Sequence, residues 1–179
     1  MKPSLHITPN QAKKIGSRQA LISVLLGLLV ANLIMTVLVA PYEGYLKAFF
    51  WLADVGYLEN ILEGVVLILF LGHLFGQQAG KLILIKNWNP FLVGPINGLV
   101  ILFASVFLAS WVGFFQEGPY HTGSYWHPFY DYIVKPVSAV MYFGAIPVLF
   151  VGLWFGYRIQ GKGKSTINET RRMSDSCFR

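Results

Sequence analysis

The stretch richest in reactive side chains runs Glu117-Gly-Pro-Tyr-His121-Thr-Gly-Ser-Tyr-Trp-His127-Pro-Phe-Tyr-Asp131. Imidazole and carboxylate together are a normal donor set for zinc, copper or iron, and the same groups can transfer protons near neutral pH. Further carboxylates, Asp54, Glu59 and Glu63, come from earlier in the chain. A metal or acid–base site on this pattern would use Glu59, Glu63, His121, His127 and Asp131, with a divalent transition metal as its cofactor. Because neutral imidazole is the ligand form, such a metal would be held above roughly pH 6–7 and lost on acidification. The spacing matches neither HExxH nor a histidine pair on one helical face. Tyr120, Tyr125, Trp126, Phe129, Tyr130 and Tyr132 are interleaved with the histidines, so an interfacial aromatic belt is the competing explanation of the same residues.

Three other ionisable or polar positions stand out because their neighbours are apolar. Glu63 lies about one turn inside an apolar run, with Glu59 four residues earlier on the same helical face. Like charges at that spacing repel, and each ionisable group inside a span needs a reason. His73 lies deeper, and Asn97, on a run crossing in the opposite direction, should reach a similar depth, so the two are expected to form a polar pair between helices. A haem on His73 would need a second axial ligand. His121 and His127 belong to the other side of the membrane in the topology derived below.

The elements that must carry these residues follow from how charge is sorted. No Asp, Glu, Lys, Arg or His lies between Arg18 and Glu43, between Lys86 and Glu117, or between Lys135 and Arg158, and only His73 lies between Glu63 and Lys81. Each gap can hold the roughly 17–25 residues that cross a bilayer as a helix. The segments between the gaps alternate in sign, and 12 of the 14 Lys and Arg residues lie in the N-terminal arm, the 79–90 linker and the tail. Positive flanks stay cytoplasmic, which predicts N-in/C-in topology. The fold class expected is an all-α integral membrane protein with four transmembrane helices and a short amphipathic interfacial segment after the first.

As one membrane domain, 1–179 divides into a cytoplasmic basic arm (1–18), a first span (19–40), an outer interfacial segment (41–57) and a second span (58–78). A cytoplasmic linker (79–90), a third span (91–115), an outer aromatic and histidine linker (116–132), a fourth span (133–157) and a cytoplasmic basic tail (158–179) complete it. The composition agrees: 55% hydrophobic, 16% aromatic, and only 12% charged residues, about half the charge of a soluble domain. Small residues recur every four positions at Gly72 and Gly76, Gly94 and Gly98, and Gly152 and Gly156. Such pairs let helix backbones approach closely, and a waist where the second, third and fourth helices meet near the cytoplasmic side is expected.

The net charge of +6 flanks apolar spans and forms no basic face, so the partners expected are the lipid bilayer and other membrane subunits or further copies of the chain, and no nucleic acid. Cys177 is the sole cysteine, which leaves no disulfide framework, redox pair or prenylation signal. The first span is read as retained and not as a signal peptide, and the chain is placed in a bacterial or archaeal cytoplasmic membrane. Phosphate loops, nucleophile constellations and paired broken helices are all missing from the sequence. The function expected is therefore a non-catalytic or accessory subunit of a larger membrane assembly. The alternatives are a membrane metalloenzyme or metal-bearing subunit using the outer-face set, and an oligomeric proton or ion channel lined by Glu63 and His73.

Overall fold

Residues 7–50, 58–122 and 126–177 are described by a computed structural model, which is 94% helical and without strands among those residues. Helix α1 spans Pro9–Glu43, α2 Tyr45–Phe49, α3 Leu58–Leu84, α4 Pro90–Thr122, α5 Trp126–Phe129 and α6 Lys135–Cys177, with a π-helical turn, Tyr130–Val134, joining α5 to α6. Four of these helices are long and apolar enough to cross a membrane.

The helices outrun the spans expected of them. Thr8 starts α1 with a capping box: its hydroxyl accepts from the Gln11 amide at 3.4 Å, and the Gln11 side chain accepts from the Thr8 amide at 3.1 Å. Pro9 follows at the first helical position, where a missing N–H is harmless. The basic arm from residue 9 is therefore helical, and α1 continues past Pro41 to Glu43. At the other end α6 passes through Pro147 and carries the basic tail as helix to Cys177. Between α3 and α4 the chain reverses in five residues. Asn87 takes a left-handed φ of 54°, which Asn tolerates better than most residues, and the Trp88 amide closes on the Leu82 carbonyl at 3.0 Å. Asn89 then accepts the Phe91 amide at 3.0 Å and opens α4.

Long-range packing links α1 to α3, α3 to α4, α4 to α6 and α6 back to α1, with the α3–α6 diagonal only lightly touched. Successive contacts run in opposite directions along each pair: Val24 with Gly72 and Ala12 with Gly80, Gly98 with Val148 and Gly94 with Gly152. The result is an up-down-up-down bundle. Its buried cluster (Ala20, Ala79, Ile83, Val93, Phe155 and Ile159) draws on all four long helices and sits at one end. Ile7, Leu84 and Gly163 meet at that same end. Most large apolar side chains elsewhere face outward, as expected where the solvent is hydrocarbon.

Candidate functional site

The glycines make two seams. On α3, a Cβ added to Gly76 would collide with the Ala20 Cβ, and at Gly80 it would meet the Ala12 carbonyl oxygen; Gly72 abuts Val24. On α4 and α6, an added Cβ at Gly94 would strike the Gly152 carbonyl oxygen, at Gly156 the Pro90 carbonyl oxygen, and at Gly98 a Val148 methyl at 2.9 Å. Helix α3 thus uses its glycines against α1 and not against α4 or α6, so the expected three-helix waist is replaced by two separate antiparallel pairs. The missing partner was readable: Ala12, Gly16 and Ala20 repeat every four residues on α1.

Between the seams, α1 and α6 part. Above the buried cluster lies a cavity of about 290 Å³, lined on α1 by Ala20, Ser23, Gly27 and Ala31 and on α6 by Gly144, Val148 and Val151, with Ile101 and Leu102 of α4 at its back. Ser23 donates its hydroxyl to the Gln19 carbonyl at 2.8 Å, so the polar side chain in the lining is already satisfied. Gln19, one turn below, is only 4% exposed, and its side-chain oxygen has no hydrogen-bond partner among the described residues. The small residues of α1 at positions 20, 23, 27 and 31 were the sequence signal for this space.

The polar residues picked from the sequence lie elsewhere. Glu63 and His73 both face outward on α3. The hydrogen bond that the structure gives His73 is to Gln77, one turn on, at 2.8 Å; Asn97 is half-buried on α4. With a rotation of about 100° per residue, Glu63, Val66, Phe70, His73, Leu74 and Gln77 share an arc of about 100°. Gly72 and Ala79 point roughly the opposite way. Thr36 and Ser110, at a depth comparable to Glu63, are buried, and Thr36 returns its hydroxyl to the Asn32 carbonyl at 2.8 Å.

At the far end of the bundle, His127 and Asp131 are exposed, and Asp131 is engaged by Lys135, one turn on, which also lies over the Tyr130 ring. The side chains of Glu59 and His121 lie outside the described residues, and among those described no three His, Cys, Asp or Glu form a group that could hold a metal. What does assemble there is aromatic. Phe103, Phe107, Trp111 and Phe115 follow one another along α4 with ring centroids 5.4–6.1 Å apart, and Phe129 joins Trp111 and Phe114 at 6.3 and 6.4 Å. The i, i+4 spacing of those α4 rings was visible in the sequence.

Compared with known proteins, the chain matches no family model, and no curated protein or solved structure resembles it at a significant level. The geometry alone carries the functional reading.

Proposed function

We propose that this chain is an accessory subunit of a larger membrane assembly and that the outward arc of α3 is where its neighbour binds. The observation that carries this is the position of His73 and Gln77. They lie about 12 Å of helical rise or less from Lys81 and about 15 Å or more from Glu63, within a helix long and apolar enough to cross a membrane, yet His73 is exposed and Gln77 is only half-buried on the outward arc. Polar groups within a span normally face protein or water, because hydrocarbon offers no partner for their hydrogen-bonding atoms. Their mutual hydrogen bond supplies one partner but leaves the imidazole's second nitrogen and the rest of the Gln77 amide for a neighbour. Val66, Phe70 and Leu74 supply the apolar contact around them.

The orientation proposed is N-in/C-in. What supports it is the gathering of the N-terminal arm, the α3–α4 turn and the α6 extension at one end of the bundle, since those segments carry most of the basic residues. The last turn of α1 and the segment after it are proposed to lie in the outer headgroup layer: Tyr42, Tyr45, Phe49 and Phe50 are exposed there, and Lys47 pairs with Glu43 at 3.4 Å. The part at 51–57, including Trp51 and Asp54, lies outside the described residues.

Extraction of the tagged chain in mild detergent, followed by light scattering and identification of every co-purifying polypeptide, tests the subunit reading. The wild type should run as an assembly heavier than one chain. Replacing both polar residues (His73→Leu with Gln77→Leu) should release a folded, stable monomer, because the face then suits lipid. A wild-type monomer, or an assembly indifferent to the double variant, would overturn the proposal.

A further inference from the structure

We propose that the slot between α1 and α6 is a binding site for one hydrocarbon chain of a membrane lipid. Its position comes from how the bundle closes. At the end where the basic segments gather, Ala20 and Phe155 belong both to the buried four-helix cluster and to the lining of the slot, so that end is sealed. Farther along, the rim residues Ile34, Val140 and Phe143 are exposed, Phe143 by 69%, so the slot opens sideways and toward the opposite end. In a bilayer that opening meets hydrocarbon.

Shape and chemistry select the occupant. From Ala20 to Ile34 the lining covers about 21 Å of helical rise, and from Val140 to Phe155 about the same. A long, narrow space suits a flexible chain better than a compact ring system. The volume of about 290 Å³ is roughly twice that of an apolar cavity able to hold benzene, which gives room for on the order of a dozen carbon atoms. The lining has no unsatisfied polar side chain, since Ser23 is bonded within its own helix. A headgroup therefore has no place inside. It remains beyond Ile34 and Val140, in the leaflet remote from the basic arms. An unfilled space of this size would forfeit dispersion contacts along its whole wall, whereas a chain drawn in from the adjacent leaflet restores them.

Gly27 makes the site testable. A Cβ built on it meets nothing within 4 Å, although the residue lines the slot. A large side chain there should fill the space without disturbing a helix contact. The same is true of Gly113 on α4, which lies outside the slot and serves as the control.

The full chain would be placed in vesicles of phosphatidylcholine and phosphatidylglycerol in which one tenth of the phosphatidylcholine carries a photoactivatable diazirine in an acyl chain. After illumination, adducts are mapped by peptide mass spectrometry, and retained lipid is counted by native mass spectrometry after detergent exchange. The expected result is one retained lipid per chain, with adducts enriched at Leu102, Gly144, Val148 and Val151 over the outward positions Phe70 and Leu108. Gly27→Leu should lower the slot adducts at least tenfold, whereas Gly113→Leu should leave them unchanged. Should Gly27→Leu fail to fold, Ala31→Leu narrows the same slot from the next turn and is held to the same tenfold loss. Adducts spread evenly over all outward positions would mean adventitious lipid only and would overturn the proposal. Undiminished slot labelling in the filled variant, or cross-links from the slot to a polypeptide instead of a lipid, would overturn it as well. Because α3's outward arc takes no part in the slot, the His73→Leu, Gln77→Leu variant should retain the lipid even where it loses the assembly.

Discussion

Gly16, Gly76 and Gly80 let two backbones touch, whereas Gly27, Gly64 and Gly113 face open space, and the same substitution should therefore act in opposite directions at the two groups. At Gly76 even a methyl would collide with the Ala20 side chain, and at Gly152 with the Pro95 backbone. Gly76→Ile and Gly152→Ile should lower the melting temperature in detergent, corresponding to about 1–3 kcal/mol or more of overpacking. At Gly64 an added methyl meets nothing within 4 Å, and Gly64→Ala should stabilise α3 by about 0.5–1 kcal/mol through reduced backbone freedom in the unfolded chain. Unfolding followed by tryptophan fluorescence separates the two groups, and equal effects at Gly76 and Gly64 would refute the seam. All six glycines named from the sequence sit in the two seams, but spacing alone could not say which helix each would meet. Four-residue periodicity defines a face on one helix, whereas the partner depends on the order in which the helices circle the bundle.

Capping, turn chemistry and helix rotation are properties of the element. Thr8, Pro9 and Gln11 form a helix start with a capping box, yet they lie in a segment that charge marks as cytoplasmic. Both statements hold, because a helix need not end where the membrane does. Thr8→Ala removes the hydroxyl that satisfies the Gln11 amide and should cost about 1 kcal/mol locally. The amides of residues 10–12 should then exchange with deuterium about fivefold faster, while the centre of α1 exchanges as before. The π-helical turn before α6 also has a local cause. Pro136 has no N–H for the Tyr132 carbonyl, and the Lys135 amide reaches back five residues to the Tyr130 carbonyl instead. Rotation was the element-scale feature that the sequence left open. Glu63 and His73 could face inward or outward with equal helical regularity, and only the seam with α1 turns them out.

For the molecule as a whole, the two ends of the bundle differ in charge, and insertion should follow. Single cysteines at positions 124 and 165 in a Cys177→Ala background test the orientation in intact cells with an impermeant maleimide. Reaction at 124 and protection at 165 is the expected pattern; the reverse would invert the topology. The contact of Ile7, Leu84 and Gly163 ties the basic segments to one end whichever side that end occupies. The outer-face metal reading is tested at this scale too, on the intact assembly purified without chelator. Since Asp131 is held by Lys135 and His127 stands exposed, a His121→Ala, His127→Ala double variant should show the same element content as the wild type. A metal present in the wild type and lost from that variant would restore the histidines as ligands.

Charge sorting determined the four spans from the sequence alone, because a bilayer has no place for a run of ions and the chain must confine them to the connections. Residue spacing also marked the small faces of α3, α4 and α6, whereas the start of α1 at Thr8 came from the structure. Tertiary structure decided which faces meet, which polar residues turn outward and where a slot opens between helices. Those outcomes depend on helix order and on rotation about each axis, and both are settled by contacts between residues far apart in the chain. The slot shows this most clearly. Gly27 resembles the seam glycines in sequence, but the divergence of α1 from α6 above the buried cluster leaves its neighbourhood empty.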